Sequence, residues 1–144
     1  MKPLAQVIAG KKFDYVNDDI VKHFSATEVP ENTEYKLYHF NKNMTSEEVI
    51  EVIKKDGYCP ANISELLEWK EWNKKDCVVG LGSVAEVYGS RRVPCLYEVG
   101  SGRRLDLRWF GNNWGPTVRF LAIHNSQTLS TQKSDLSTNA LQGS

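Results

Sequence analysis

At 144 residues the chain has the commonest size of a single domain and can bury a core without disulfides or a metal. Lys plus Arg equals Asp plus Glu, at 18 each, which argues against a binder of nucleic acid or anionic membrane selected by net charge. No stretch reaches the ~20 apolar residues of a membrane span, Met1 to Gly10 lacks the form of a signal peptide, and Cys59, Cys77 and Cys95 show no metal-ligand spacing. The expectation is a soluble, cytoplasmic domain with free buried thiols, with surface display or export left open.

The first 33 residues are weakly patterned and read as a segment packing on the domain. Within them Ile20, Val21 and Phe24 suit one face of a short helix opened by Asn17 or Asp18. Glu34 to Phe40 is aromatic and loosely alternating, as a strand would be. Thr45-Ser46-Glu47-Glu48 has the form of a capping box. It predicts a helix from Ser46 to about Asp56, with Val49, Ile50, Val52 and Ile53 as its apolar stripe and Gly57 as a left-handed stop. Asn62 and Glu65 repeat the start signal and predict a second helix to about Trp72.

From Cys77 the period changes. Cys77 to Leu81 reads as a short buried central strand, and Val93–Val99 with Leu105–Phe110 as a hairpin turning at Gly100-Ser101-Gly102. The polar turn Gly111 to Pro116 leads to a closing strand, Val118 to Ile123. The domain is expected to cover residues 34–124. Residues 125–144, rich in Ser and Thr and free of aromatics, read as a disordered tail.

Signals for chemistry are weak throughout. His23, His39 and His124 lie far apart, and no Ser or Cys sits in a nucleophile elbow. Glu47 with Glu48 and Glu65 with Glu68 are explained by helix capping and solvation. Gly80-Leu81-Gly82-Ser83 lacks the ending of a phosphate loop. No enzyme activity, cofactor or metal is therefore expected. Arg91, Arg92, Arg103, Arg104 and Arg108 with Trp109 and Trp114 form a basic hairpin region that could stack and clamp single-stranded nucleic acid, but Glu86, Glu98 and Asp106 are interleaved with it, so a solvated or protein-binding face is preferred.

The order of a strand at Tyr35–Phe40, a capped helix at Thr45–Asp56, Gly57-Tyr58-Cys59-Pro60-Ala61, a second helix at Ile63–Trp72 and a Val79-Gly80-Leu81 strand resembles the C-type lectin fold over residues 34–124. That implies an α+β domain with two helices packed on a short, mostly antiparallel, twisted sheet. The runs Gly82-Ser83-Val84, Arg91-Arg92-Val93-Pro94-Cys95-Leu96, Trp109-Phe110, Asn113-Trp114 and Arg119-Phe120-Leu121-Ala122 resemble short hypothetical proteins of uncultivated bacteria that look like targets of diversity-generating retroelements. This resemblance implies a framework of Val93, Pro94, Leu96, Leu105, Leu107, Trp109, Phe110, Trp114, Phe120 and Ala122, with changeable residues between them. The Glu-Pro-Asn and Trp-Asn-Asp motifs of calcium-dependent sugar binding are absent, so no calcium site is expected and a protein ligand is favoured over a sugar.

Strand alternation agrees in outline with such a surface. Leu105, Leu107 and Trp109 fall on one side and Arg104, Asp106 and Arg108 on the other. The anticipated contact set is Tyr97, Glu98, Arg104, Asp106, Arg108, Asn112, Asn113, Trp114 and Thr117, with Trp114 as hot spot. An ordinary accessory interaction protein and a single-stranded nucleic-acid binder are the alternatives.

Overall fold

The structure of the chain, a computed structural model, describes residues 1–73 and 75–125. In chain order the elements are α1 (Leu4–Gly10), β1 (Tyr15–Val16), α2 (Asp19–His23), β2 (Glu34–His39), β3 (Met44–Thr45), α3 (Ser46–Lys55) and β4 (Cys59–Pro60). They continue with α4 (Ile63–Glu68), β5 (Val78–Val79), β6 (Ala85–Val87), β7 (Ser90–Val99), β8 (Gly102–Trp109), β9 (Asn113–Trp114) and β10 (Arg119–His124). Over the described residues the domain is α+β, with four helices where the sequence suggested two capped ones and a short one near Ile20, around a mixed sheet of eight strands. Among the described residues no helix is long and apolar enough to cross a membrane.

The main path of the sheet runs β1-β8-β7-β5-β10-β2, with β4 pairing β10 and β6 pairing β7; β3 and β9 form a separate two-stranded ribbon. The β7–β8 hairpin closes at Gly100, whose φ of 62° is open to glycine without strain. Pro94 is tolerated inside β7 because the pairing with β6 stops at Arg92 and that with β5 begins at Cys95. In the gap between them only the Pro94 carbonyl is used, accepting the Gly80 N–H at 3.0 Å.

Both faces of the sheet are apolar. Leu96, Leu105, Leu107, Leu121 and Ile123 share one core with Leu4 and Ile8 of α1, Ile20 of α2 and Leu66 and Leu67 of α4. Val79, Val93, Cys95, Phe120 and Ala122 share the other with Val49 and Ile53 of α3. Strands buried on both sides carry unbroken apolar runs, which is why Val78-Val79 and Leu121-Ala122-Ile123 show no period of two.

Local signals set the helix starts. Thr45 and Glu48 make the reciprocal capping box of α3, and Asn62 with Glu65 that of α4. Gly57, at φ 85°, ends α3 in the left-handed region as its sequence implied. The second helix is shorter than expected: Trp69 is already extended, with ψ 128°, instead of the chain staying helical to Trp72. Burial of the Trp69 ring and the bond from Trp72 Nε1 to the Asp76 carbonyl, at 2.9 Å, pull this stretch out of the helix.

Gly82 allows a close backbone approach. A Cβ there would lie 2.3 Å from the Pro60 carbonyl oxygen, and Gly82 N–H donates to the Ala61 carbonyl at 2.8 Å. Next to it, Ser83 Oγ accepts from Ile63 N–H at 2.8 Å, so the Gly80–Ser83 segment serves the start of α4.

The first 33 residues hold more structure than their pattern suggested, since beside the expected short helix, α2, they add α1 and the edge strand β1, although Val21, expected on the packed face of α2, is exposed. Asn125 is buried and donates to Thr33 Oγ1 at 3.0 Å, so packing on the domain includes at least one residue past His124. The remainder of the expected tail lies outside the described residues.

Candidate functional site

The β7–β8 register places Tyr97 opposite Arg104, Cys95 opposite Asp106 and Val93 opposite Arg108. These six side chains share one face of the sheet, apolar toward β5 and polar along β8. Arg108 is exposed, while Tyr97, Arg104 and Asp106 are half-buried.

Each polar group of the row is held by neighbours. The Asp106 carboxylate accepts from the Tyr97 hydroxyl at 3.0 Å, from Asn17 Nδ2 at 2.9 Å and from Leu107 N–H at 2.7 Å. The Arg108 guanidinium lies 4.9 Å from the centre of the Tyr97 ring and that of Arg104 lies 5.0 Å from the centre of the Tyr15 ring. Neither arginine takes part in a salt bridge among the described residues. Partial burial, and then the bond to Asp106, hold the Tyr97 phenol above its ordinary range, with Arg104 opposing. Beneath the row, hydrogen bonding between the Cys77 and Cys95 thiols is the main influence on both, pushing Cys95 up and Cys77 down.

The structure brings together Tyr97, Arg104, Asp106 and Arg108 of the anticipated set. It does not bring Glu98 to them. Alternation turns Glu98 to the other face, level with Arg103 in the register. Asn112, Asn113 and Thr117 stand on β9 and the connections that flank it, where Asn113 and Thr117 are exposed and Asn113 pairs with Thr45 across the small ribbon.

Both tryptophans of this region belong to the framework that the resemblance implies, Trp114 also as the hot spot, and of the two the structure buries Trp114. Trp114, anticipated as an exposed hot spot, is 3% exposed; its Nε1 donates to Ser46 Oγ at 2.9 Å, and that hydroxyl donates to the Phe110 carbonyl at 2.6 Å. Its ring also meets Phe120 edge-on. Trp109, expected to join Leu105 and Leu107 in the core, is 58% exposed at the last position of β8, where it pairs with Arg92.

Sequence reasoning missed Tyr15 and Asn17. They reach the row through β1, which pairs in parallel with β8 at Tyr15↔Arg104 and Val16↔Leu105. A strand of two residues has no period to read. The only local hint was an aromatic residue just before the anticipated start of α2. Alternation also separates Arg103 from Arg104 and Arg108, and Arg91 stacks at 4.4 Å on the Phe110 ring, so the arginines do not form one continuous basic clamp. Comparison of the chain with protein-family models, curated proteins and solved structures finds no match.

Proposed function

We propose that this chain is a non-enzymatic, C-type-lectin-like binding domain of the kind diversified by retroelements, and that it recognises a protein through the outward row of β8. The observation that carries the reading is the pair of guanidinium groups, Arg104 and Arg108, held over tyrosine rings without a salt-bridged carboxylate among the described residues. Arginine and tyrosine are the residue types that dominate protein–protein hot spots, and stacking of the arginines lowers the entropy lost on binding. The row stands on a hairpin whose opposite face, Leu105 and Leu107, is buried, so the outward side chains can change without emptying the core. A helix start capped by Thr45, a second capped by Asn62 and a buried Val78-Val79 strand support the lectin-like comparison.

The test is to sequence near-identical copies of the gene and any adjacent template repeat. Differences should concentrate at adenine-containing codons of Tyr97, Arg104, Asp106, Arg108, Asn112, Asn113 and Thr117, with Leu105, Leu107 and Trp114 constant. Differences spread evenly along the chain would instead favour an accessory interaction protein with no diversified site. Steeply salt-dependent binding of a single-stranded oligonucleotide, abolished when Arg104 and Arg108 are neutralised together, would replace the protein-binding reading with a nucleic-acid one.

A further inference from the structure

On the face of the sheet opposite the Tyr97–Arg108 row, Arg103 points into a cavity of about 250 Å³. The guanidinium sits between two rings, 5.1 Å from the centre of Phe13 and 5.6 Å from that of Trp72. One of its terminal nitrogens donates to the Lys11 carbonyl at 2.7 Å, whereas its buried Nε has no acceptor among the described residues. No carboxylate among the described residues forms a salt bridge with it, although Glu98 is its register partner; Arg119, by contrast, lies 3.0 Å from Asp76. A buried, unpaired N–H on a permanent cation is costly, and such groups mark places where an acceptor belongs.

The rest of the lining sets the kind of acceptor. Leu66, Leu67 and Leu96 make an apolar floor, Trp69 and Trp72 a flat wall, and Lys11 and Lys70 add positive charge; among the described residues no acidic side chain lines the cavity. At ~30 Å³ for each water, the volume corresponds to roughly eight waters, enough for a small organic molecule and too little for a peptide. A free inorganic anion would leave the apolar floor uncovered, and a neutral hydrocarbon would leave the guanidinium unanswered.

We propose that this cavity is a binding site for a small amphipathic carboxylate, whose acid group pairs with Arg103 and whose aryl or short alkyl body lies against Leu66, Leu67 and the two tryptophans. A carboxylate beside the planar guanidinium forms a charge-assisted pair, and the rings on either side restrict the arginine to the geometry that receives it. The site is independent of the outward row, since it uses the other face of the sheet and the end of α4.

Titration of the intact chain with indole-3-acetate and with octanoate, against the neutral indole and 1-octanol, tests this by calorimetry and by the four indole N–H signals in two-dimensional NMR. Saturable binding of the acids is expected, about tenfold or more tighter than of the neutral pair. Trp69 and Trp72 should shift while Trp109 and Trp114 stay in place. Arg103→Met should weaken the acids about tenfold or more, and Arg103→Lys should recover part of the loss. Equal binding of acids and neutral compounds, shifts at Trp109 or Trp114 instead, or no saturation by about 10 mM would overturn the proposal. The NMR comparison needs no variant, so it decides the matter even if Arg103→Met fails to fold. Inorganic phosphate that displaced the acids with equal affinity would show a plain anion site and would also refute it.

Discussion

Ser46 is the residue on which the end of the hairpin depends. Its hydroxyl, fully buried, serves the Trp114 indole and the Phe110 carbonyl at once, joining the first turn of α3 to both ends of the turn after β8. Ser46→Ala strands two buried polar groups, each at about 1–3 kcal/mol, so a loss of roughly 2–6 kcal/mol in urea unfolding is expected. A loss below ~0.5 kcal/mol would mean that the pair of bonds is not a stabilising link. Two tyrosines supply a pH signature. The Tyr35 and Tyr38 hydroxyls are both pushed up to about 12, chiefly by burial. An unfolded phenol titrates near pH ~10. Between about pH 10 and 12 the unfolded chain has therefore released protons that the folded chain still holds. Stability falls as pH rises through that window, and these groups leave it unchanged below. Tyr35→Phe should make the decline shallower, read as the slope of unfolding free energy against pH; an unaltered slope would remove Tyr35 as a contributor.

At the next level up, the helices owe their starts to local chemistry and their stops to packing. Both capping boxes lie within four consecutive residues, Thr45 to Glu48 and Asn62 to Glu65, and both form. The early end of α4 answers instead to where Trp69 and Trp72 find partners, in the core and at the Asp76 carbonyl. The contact between the Gly80–Ser83 segment and the Pro60–Ala61 backbone gives a comparison of mechanisms. Thr45→Ala removes one cap bond and should cost about 1 kcal/mol. Gly82→Ala forces a Cβ against the Pro60 carbonyl oxygen at 2.3 Å and the Ala61 carbonyl carbon at 2.7 Å, neither of them the movable end of a side chain. It should cost more, about 1–3 kcal/mol or above. Thermal melting of the two variants ranks them, and a Gly82→Ala variant as stable as the parent would show that the two loops separate freely.

Across the molecule, the sheet is unevenly protected. β10 lies between β5 and β2, is reached by β4, and is buried on both faces. β1 is a two-residue edge strand joined in parallel to β8, with flanking bonds from Asp14 N–H to the Arg103 carbonyl at 2.8 Å and from Asn17 N–H to the Leu105 carbonyl at 3.0 Å. Native-state hydrogen exchange should therefore release the amides of Asp14 and Asn17 well before those of Phe120 to Ile123. Simultaneous exchange of both sets would mean that β1 opens only with the whole fold. Because Tyr15 and Asn17 support Arg104 and Asp106, the same experiment reports how firmly the proposed binding row is held.

What the amino-acid order determined unaided was whatever depends on near neighbours: the α+β class, the starts of α3 and α4, the stop at Gly57, the reversal at Gly100 and the alternation that puts Arg104, Asp106 and Arg108 opposite Leu105 and Leu107. Capping, left-handed turns and the period of a strand act over two to four residues, so a single chain displays them. Only the tertiary structure decided which tryptophan is buried, since the answer for Trp114 is a hydroxyl 68 positions away. It also decided that Tyr15 and Asn17 join the row and that Arg103 lines a cavity. Those outcomes rest on contacts between segments far apart in sequence, which no local pattern encodes.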